Sequence, residues 1–139
     1  MKERPLVLIV DDQPDNLYMY SRYFEELGGL RIVTAMTGRE ALIKAKRFQP
    51  DAILLDLTLP EMNGFEIARA LADDPATAGI PVVLASAYAS EAEAVQALGS
   101  RFASFVGQVA QGYVTKPCEP EALLHHVKQV VGTRVHETA

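Results

Sequence analysis

Three apolar stretches of this chain each run into a residue able to do chemistry. Pro5-Leu-Val-Leu-Ile-Val10 ends at Asp11-Asp12, and Asp51-Ala-Ile-Leu-Leu-Asp56 ends in a carboxylate before the chain turns through Leu57 to Gly64. Far down the chain, Lys116-Pro117 follows Gly112-Tyr-Val-Thr115. Carboxylates gathered at one place can hold a divalent cation, and a lysine beside them can bind an anion. A fourth stretch, Pro81-Val-Val-Leu-Ala-Ser86, delivers a hydroxyl.

These groups meet only if the stretches lie side by side as strands, and the intervening sequence supplies the crossovers. Residues 14 to 27 carry Leu17, Tyr20, Phe24 and Leu27 at helical spacing, and Gly28-Gly29 stops that helix. Leu30 to Ala35 reads as a partly polar strand at a sheet edge. Thr37 caps a helix with Ala41, Leu42, Ala45 and Phe48 on its apolar side, ended by Pro50. Ala52 to Leu55 is apolar without interruption, as in a strand covered on both faces. Asn63-Gly64 opens a helix with Phe65, Ile67, Ala68 and Leu71 inward, and a fourth helical region spans about 91 to 110. The last helix runs from about Pro120 to Val131, with Leu123, Leu124, Val127 and Val130-Val131 facing in. Five strands alternating with five helices predict an α/β doubly wound parallel sheet with helices on both faces. On such sheets ligands sit beyond the carboxyl ends of the strands, where Asp11-Asp12, Asp56, Ser86 and Lys116 all fall.

The 139 residues fit one domain, residues 1–131, followed by a short tail at 132–139. With 49% apolar and 22% charged residues the chain reads as globular, and a net charge of −5 gives no reason to expect direct DNA binding. Its single cysteine, Cys118, excludes an internal disulfide and a thiolate metal site, which suits a reducing compartment. The first apolar run stops at two aspartates, too short for a signal peptide or a membrane span, so the expected location is cytoplasmic.

From Leu6 to Val131 the chain closely resembles the receiver domain of two-component response regulators. The acidic pair after the first strand matches Asp11-Asp12. The phosphorylated aspartate ending the third strand matches Asp56, within Asp-x-x-x-Pro-x-x-x-Gly. The hydroxyl ending the fourth matches Ser86, the Lys-Pro pair after the fifth matches Lys116-Pro117, and the aromatic switch residue three positions before that lysine matches Tyr113. The resemblance implies a flavodoxin-like five-stranded sheet of order 2-1-3-4-5. It also implies a signalling receiver in a phosphorelay that accepts a phosphoryl group on Asp56 with Mg²⁺ (or Mn²⁺) and switches a protein-docking face. The implied metal ligands are Asp11, Asp12, Asp56 and the Thr58 backbone carbonyl. Lys116 and Ser86 would assist phosphoryl transfer, and Ser86 and Tyr113 would form the switch. Lys116-Pro117 is expected to be a cis peptide. The implied activity is confined to the protein's own phosphorylation and dephosphorylation, so it is not otherwise an enzyme. Expected partners are a sensor histidine kinase or phosphotransfer protein and a downstream protein target. A homodimer through the fourth helix, fifth strand and fifth helix is a further possibility.

Taken singly, each motif has an ordinary explanation. Asp-Asp at a strand end caps a turn or helix, a lone Ser or Lys is solvated, and a lone Tyr packs in the core. Five matches in the right order, on every strand but the second, are what such explanations do not account for. A phosphohydrolase of the haloacid dehalogenase type would need Asp-x-Asp after the first strand. Here Asp56-Leu57-Thr58 lies on the third and lacks the second Asp. A receiver-shaped scaffold that is not phosphorylated ordinarily lacks part of the acidic triad or the lysine, and this chain has both. Three departures stand out: Thr58 where Met is frequent, Asn63 where Asp is frequent, and a segment from Ser86 to Lys116 longer than usual by about two helical turns. Val95, Leu98, Phe102, Phe105, Val106 and Val109 make that segment apolar at helical spacing; either the whole stripe packs on the sheet, or Phe102 or Phe105 lies near the surface and residues 99–110 enlarge a face for a partner or a self-dimer.

Overall fold

The computed structural model describes residues 4–56, 64–86, 112–115 and 120–138, with the backbone alone at 64–65, 86, 112–115, 120 and 132–138. In chain order the elements are β1 (Leu6–Val10), α1 (Pro14–Gly28), β2 (Arg31–Ala35), α2 (Gly38–Phe48) and β3 (Ala52–Asp56). Then follow α3 (Gly64–Asp73), β4 (Val82–Ser86), β5 (Gly112–Thr115) and the final helix, here α4 (Pro120–Thr138). All strand pairs are parallel and the order is β2-β1-β3-β4-β5, as the sequence led us to expect.

Side chains alternate across the strands with period two, and the core divides accordingly. Leu8, Val10, Ile53, Leu55, Val82 and Leu84 face α2 and α3, where Ala41, Ala45, Ile67, Ala68 and Leu71 meet them. Val7, Ile9, Ala52, Leu54, Val83 and Ala85 face α1 and α4, packing on Leu17, Tyr20, Phe24, Leu123 and Val127. β1 and β3 are thereby covered on both sides, which is why their sequences are apolar without a break. β2, at one edge, is only half-buried over its first four residues.

Local chemistry fixes the helix ends. Gly29 adopts φ +66° at the C-cap of α1, a conformation that glycine reaches without steric penalty. At α2 the Thr37 hydroxyl accepts from the Glu40 amide at 3.1 Å, and Glu40 reaches back to accept from Met36 N–H at 2.7 Å. That arrangement is a capping box displaced by one residue.

Three details differ from the sequence reading. Leu27 is 66% exposed, because it lies well off the line of Leu17, Phe24 and Gly28 on the helix. The inward place is taken by Gly28, where a Cβ would come within 2.7 Å of Leu124 Cδ1, so the lack of a side chain lets α1 and α4 approach. Phe48 is 42% exposed: it is the last residue of α2, and the chain turns away at Gln49 in the left-handed region. The final helix continues past Val131 to Thr138 through Gly132, since one glycine weakens a helix by only about 1 kcal/mol and need not stop it. Among the described residues no helix is long and apolar enough to cross a membrane.

Candidate acidic site at the strand ends

β1 and β3 pair with Val10 beside Leu55, so the next residue of each chain segment, Asp11 and Asp56, emerge together at the carboxyl edge. Asp12 joins them. Carboxylate oxygens of Asp11, Asp12 and Asp56 all lie within 4.8 Å of one another. Asp11 and Asp56 are buried and Asp12 is half-buried. Oxygen ligands at about 2.0–2.6 Å from a cation stand at most about 4–5 Å apart across it, so this trio fits one divalent ion. Two unit charges about 4 Å apart repel by roughly 4 kcal/mol at an effective dielectric of 20, which gives such an ion a reason to bind.

Asp11 also serves the backbone. Its amide donates to Ala35 O at 3.1 Å, and its Oδ1 accepts from Gln13 N–H at 2.9 Å, closing an Asx turn into α1. Gln13 gives no side-chain cap to α1, so Asp11 orders the turn in its place. Its Oδ2 accepts from Asn16 Nδ2 at 3.3 Å. The turn reading and the ligand reading of Asp11 are therefore compatible. Asn16 was not singled out in the sequence, although it sits one helical turn past Asp12, where a donor can reach back. The helical spacing of Tyr20 points only to the core. Tyr20 is buried, and it also lines the crevice that holds Asp11 and Asp56 together with Ala85 and Leu123.

The other expected site residues are placed less fully. Ser86 ends β4 in register with Thr115, and Asp56 is in register with Ala85, so the backbone of Ser86 lies at the same edge as the trio. Tyr113 is in register with Leu84 on β5. Thr58, Lys116, the Lys116-Pro117 peptide and the segment 99–110 lie outside the described residues.

Residues 7–128 match the response regulator receiver domain family. The chain belongs to that family. The receiver is 33% identical to Protein PilH of Pseudomonas aeruginosa over 125 residues, covering 90% of this chain and 96% of PilH. It is 36% identical over 129 residues to Response regulator PleD of Caulobacter vibrioides, where it spans 25% of that longer protein and 89% of itself. Among solved structures it superposes on the chemotaxis response regulator CheY4 of Vibrio cholerae with a TM-score of 0.78 and 31% identity, covering 91% of this chain and 98% of that one. The receiver therefore works in phosphorylation-dependent two-component signalling. Receivers interact with histidine kinases or phosphotransfer proteins and with downstream targets, and they hold Mg²⁺ at an acidic pocket of the kind seen here.

Proposed function

We propose that Asp56 is the phosphoacceptor of this receiver. The observation that carries the reading is the convergence of Asp11, Asp12 and Asp56 at the ends of β1 and β3. Asp56 ends the central strand of the sheet, paired with Ala85 of β4 and following Leu55, which pairs with Val10 of β1, so its backbone is held in place. Little covalent work is asked of the protein in phosphoryl transfer; positioning and charge neutralisation dominate. A carboxylate oxygen of Asp56 forms the new bond to phosphorus while the donor's bond to phosphorus breaks, and the donor leaves with that electron pair. A divalent cation, Mg²⁺ or Mn²⁺, would neutralise the carboxylates and the incoming phosphoryl oxygens. Asp12 and Asp56 would bind it directly, Asp11 largely through water, and the Thr58 carbonyl would complete the protein ligands. The Asn16 and Gln13 bonds to Asp11 keep that carboxylate in one orientation.

Lys116 would place a compact positive charge against the phosphoryl group, and the Ser86 hydroxyl would donate to it. The Ser86 bond exists only in the phosphorylated state, so it can bias a two-state equilibrium in which Tyr113 turns inward. The activity is confined to the protein's own phosphoryl transfer and autodephosphorylation. The donor is a sensor histidine kinase or phosphotransfer protein, and the output is docking to a downstream protein in the cytoplasm.

Incubation with acetyl phosphate and Mg²⁺, read by intact mass, tests this. One phosphoryl group is expected on the parent protein and none with EDTA or on Asp56→Asn. Full labelling of Asp56→Asn would defeat the assignment.

A further inference from the structure

The solvent face of α2 has a composition that helix stability does not explain. Arg39, Ile43 and Arg47 follow one another at four-residue intervals, which stacks them along one stripe of the helix. Ile43 is 59% exposed, and with Phe48 it lines a shallow groove whose charged residues are Arg39, Lys44 and Arg47 against the single acid Glu40. An exposed β-branched residue in mid-helix has no local advantage. Basic residues in the last turn, Lys46 and Arg47, complement the helix dipole, but Arg39 in the first turn stands at the wrong end for that.

Two of the basic charges, Arg39 and Arg47, are also unanswered. From Gly38 to Phe48 there are four basic residues and one acidic, in a chain whose net charge is −5. Lys44 donates to Thr34 O at 2.5 Å and lies 3.8 Å from Glu40, while Lys46 lies 3.9 Å from Asp74, both ion pairs at the outer limit of distance. Among the described residues neither Arg39 nor Arg47 has an acidic partner; Arg47 instead lies 5.4 Å from the centre of the Phe48 ring. On α1, by contrast, Arg22 is held by Glu26 at 2.7 Å and Tyr18 at 2.9 Å.

We propose that this face of α2 is a docking surface for an acidic amphipathic helix of a partner protein. Such a helix would set apolar side chains on Ile43 and Phe48 and carboxylates against Arg39 and Arg47, the helix-to-groove mode of recognition. Arg and Phe are enriched in protein interfaces. Nucleic acid fits less well, since the chain as a whole is acidic and apolar side chains at the centre of the stripe find no phosphate. An anionic membrane fits less well for the same overall charge and for want of more apolar area. The surface does not involve Asp56, so the proposal stands apart from the phosphoacceptor assignment.

The test uses the whole receiver labelled with ¹⁵N. It is titrated with a synthetic helical peptide carrying Glu, Leu and Glu at four-residue intervals, its Lys-for-Glu counterpart, anionic phospholipid vesicles and a DNA duplex. The acidic peptide alone should shift resonances of Arg39 to Phe48 saturably. Ile43→Ser and the pair Arg39→Glu and Arg47→Glu should each weaken it at least about tenfold, a step of about 1.4 kcal/mol. Labelling by acetyl phosphate should be unchanged in both variants, which also shows that they fold. Shifts spread over the whole surface, equal binding of the Lys peptide, tighter binding of vesicles or DNA, or indifference to the substitutions would each overturn the proposal.

Discussion

An aspartate stands on either side of the β3 core, Asp51 just before the strand and Asp56 as its last residue, and the two are treated oppositely. At the amino end Asp51 closes the sheet: its amide donates to Leu6 O at 2.7 Å, and its Oδ2 accepts from Leu6 N–H at 2.9 Å. At the carboxyl end Asp56 is buried with Asp11 and Asp12 within 4.8 Å. The first carboxylate fastens β3 to the start of β1. The second is set among like charges, an arrangement that works against the stability of the bare protein. A residue type alone thus says little; what faces the carboxylate decides whether it serves the fold or the chemistry.

The contrast is broken most sharply by exchanging the charge at each end of β3. Asp56→Asn should abolish phosphoryl labelling while Asp51→Asn leaves it intact, as intact mass after acetyl phosphate treatment will show. Loss of labelling in Asp51→Asn with a normal fold would erase the distinction.

A second effect is on cation binding. Asp12→Asn should weaken Mg²⁺ at least about tenfold, roughly 1.4 kcal/mol, by calorimetric titration. Asp51→Asn should leave the affinity unchanged.

Stability should move in opposite directions at the two ends. Without a divalent cation, Asp56→Asn is expected to stabilise the protein by about 1–2 kcal/mol, because one of three clustered charges is gone. Asp51→Ala should destabilise it by about 1 kcal/mol, because the part-buried Leu6 amide loses a charged acceptor. Urea unfolding in EDTA reads both. Added Mg²⁺ should raise the parent's stability and reverse the order of parent and Asp56→Asn.

Much of this was legible in the sequence because the site lies where patterns change. Asp11-Asp12 and Asp56 interrupt unbroken apolar strands, and Gly28-Gly29 and Thr37 mark helix ends by backbone chemistry alone. Side-chain direction near helix ends was less legible. Leu27 and Phe48 belong to apolar patterns yet face solvent, because Gly28 takes the inward place and the chain turns away at Gln49. The support given to Asp11 by Asn16 was hidden too, since Asn on a first helical turn usually reads as solvated. The last helix, expected to end near Val131, continues in the backbone to Thr138. For Ser86 and Tyr113 the register confirms the strands that carry them. Their roles, and those of Thr58 and Lys116, stand on resemblance.

The smallest expected effect concerns the helix seam behind the site. Gly28→Ala must push the Leu124 side chain aside by part of an ångström, a cost partly offset by the helix preference for alanine, so stability should fall by less than about 1 kcal/mol without altering labelling at Asp56. Denaturation and intact mass on the same sample check both halves.

The most direct test of the acidic site is to locate the phosphoryl group itself. An acyl phosphate is reduced by borohydride, which marks the carboxylate that carried it, and peptide mass spectrometry then identifies the residue. The mark is expected on Asp56 alone, lost when EDTA is present during phosphorylation. A mark on Asp11, Asp12 or Asp51, or on Asp56 regardless of divalent cation, would contradict the assignment of this cluster as a cation-dependent phosphoacceptor site.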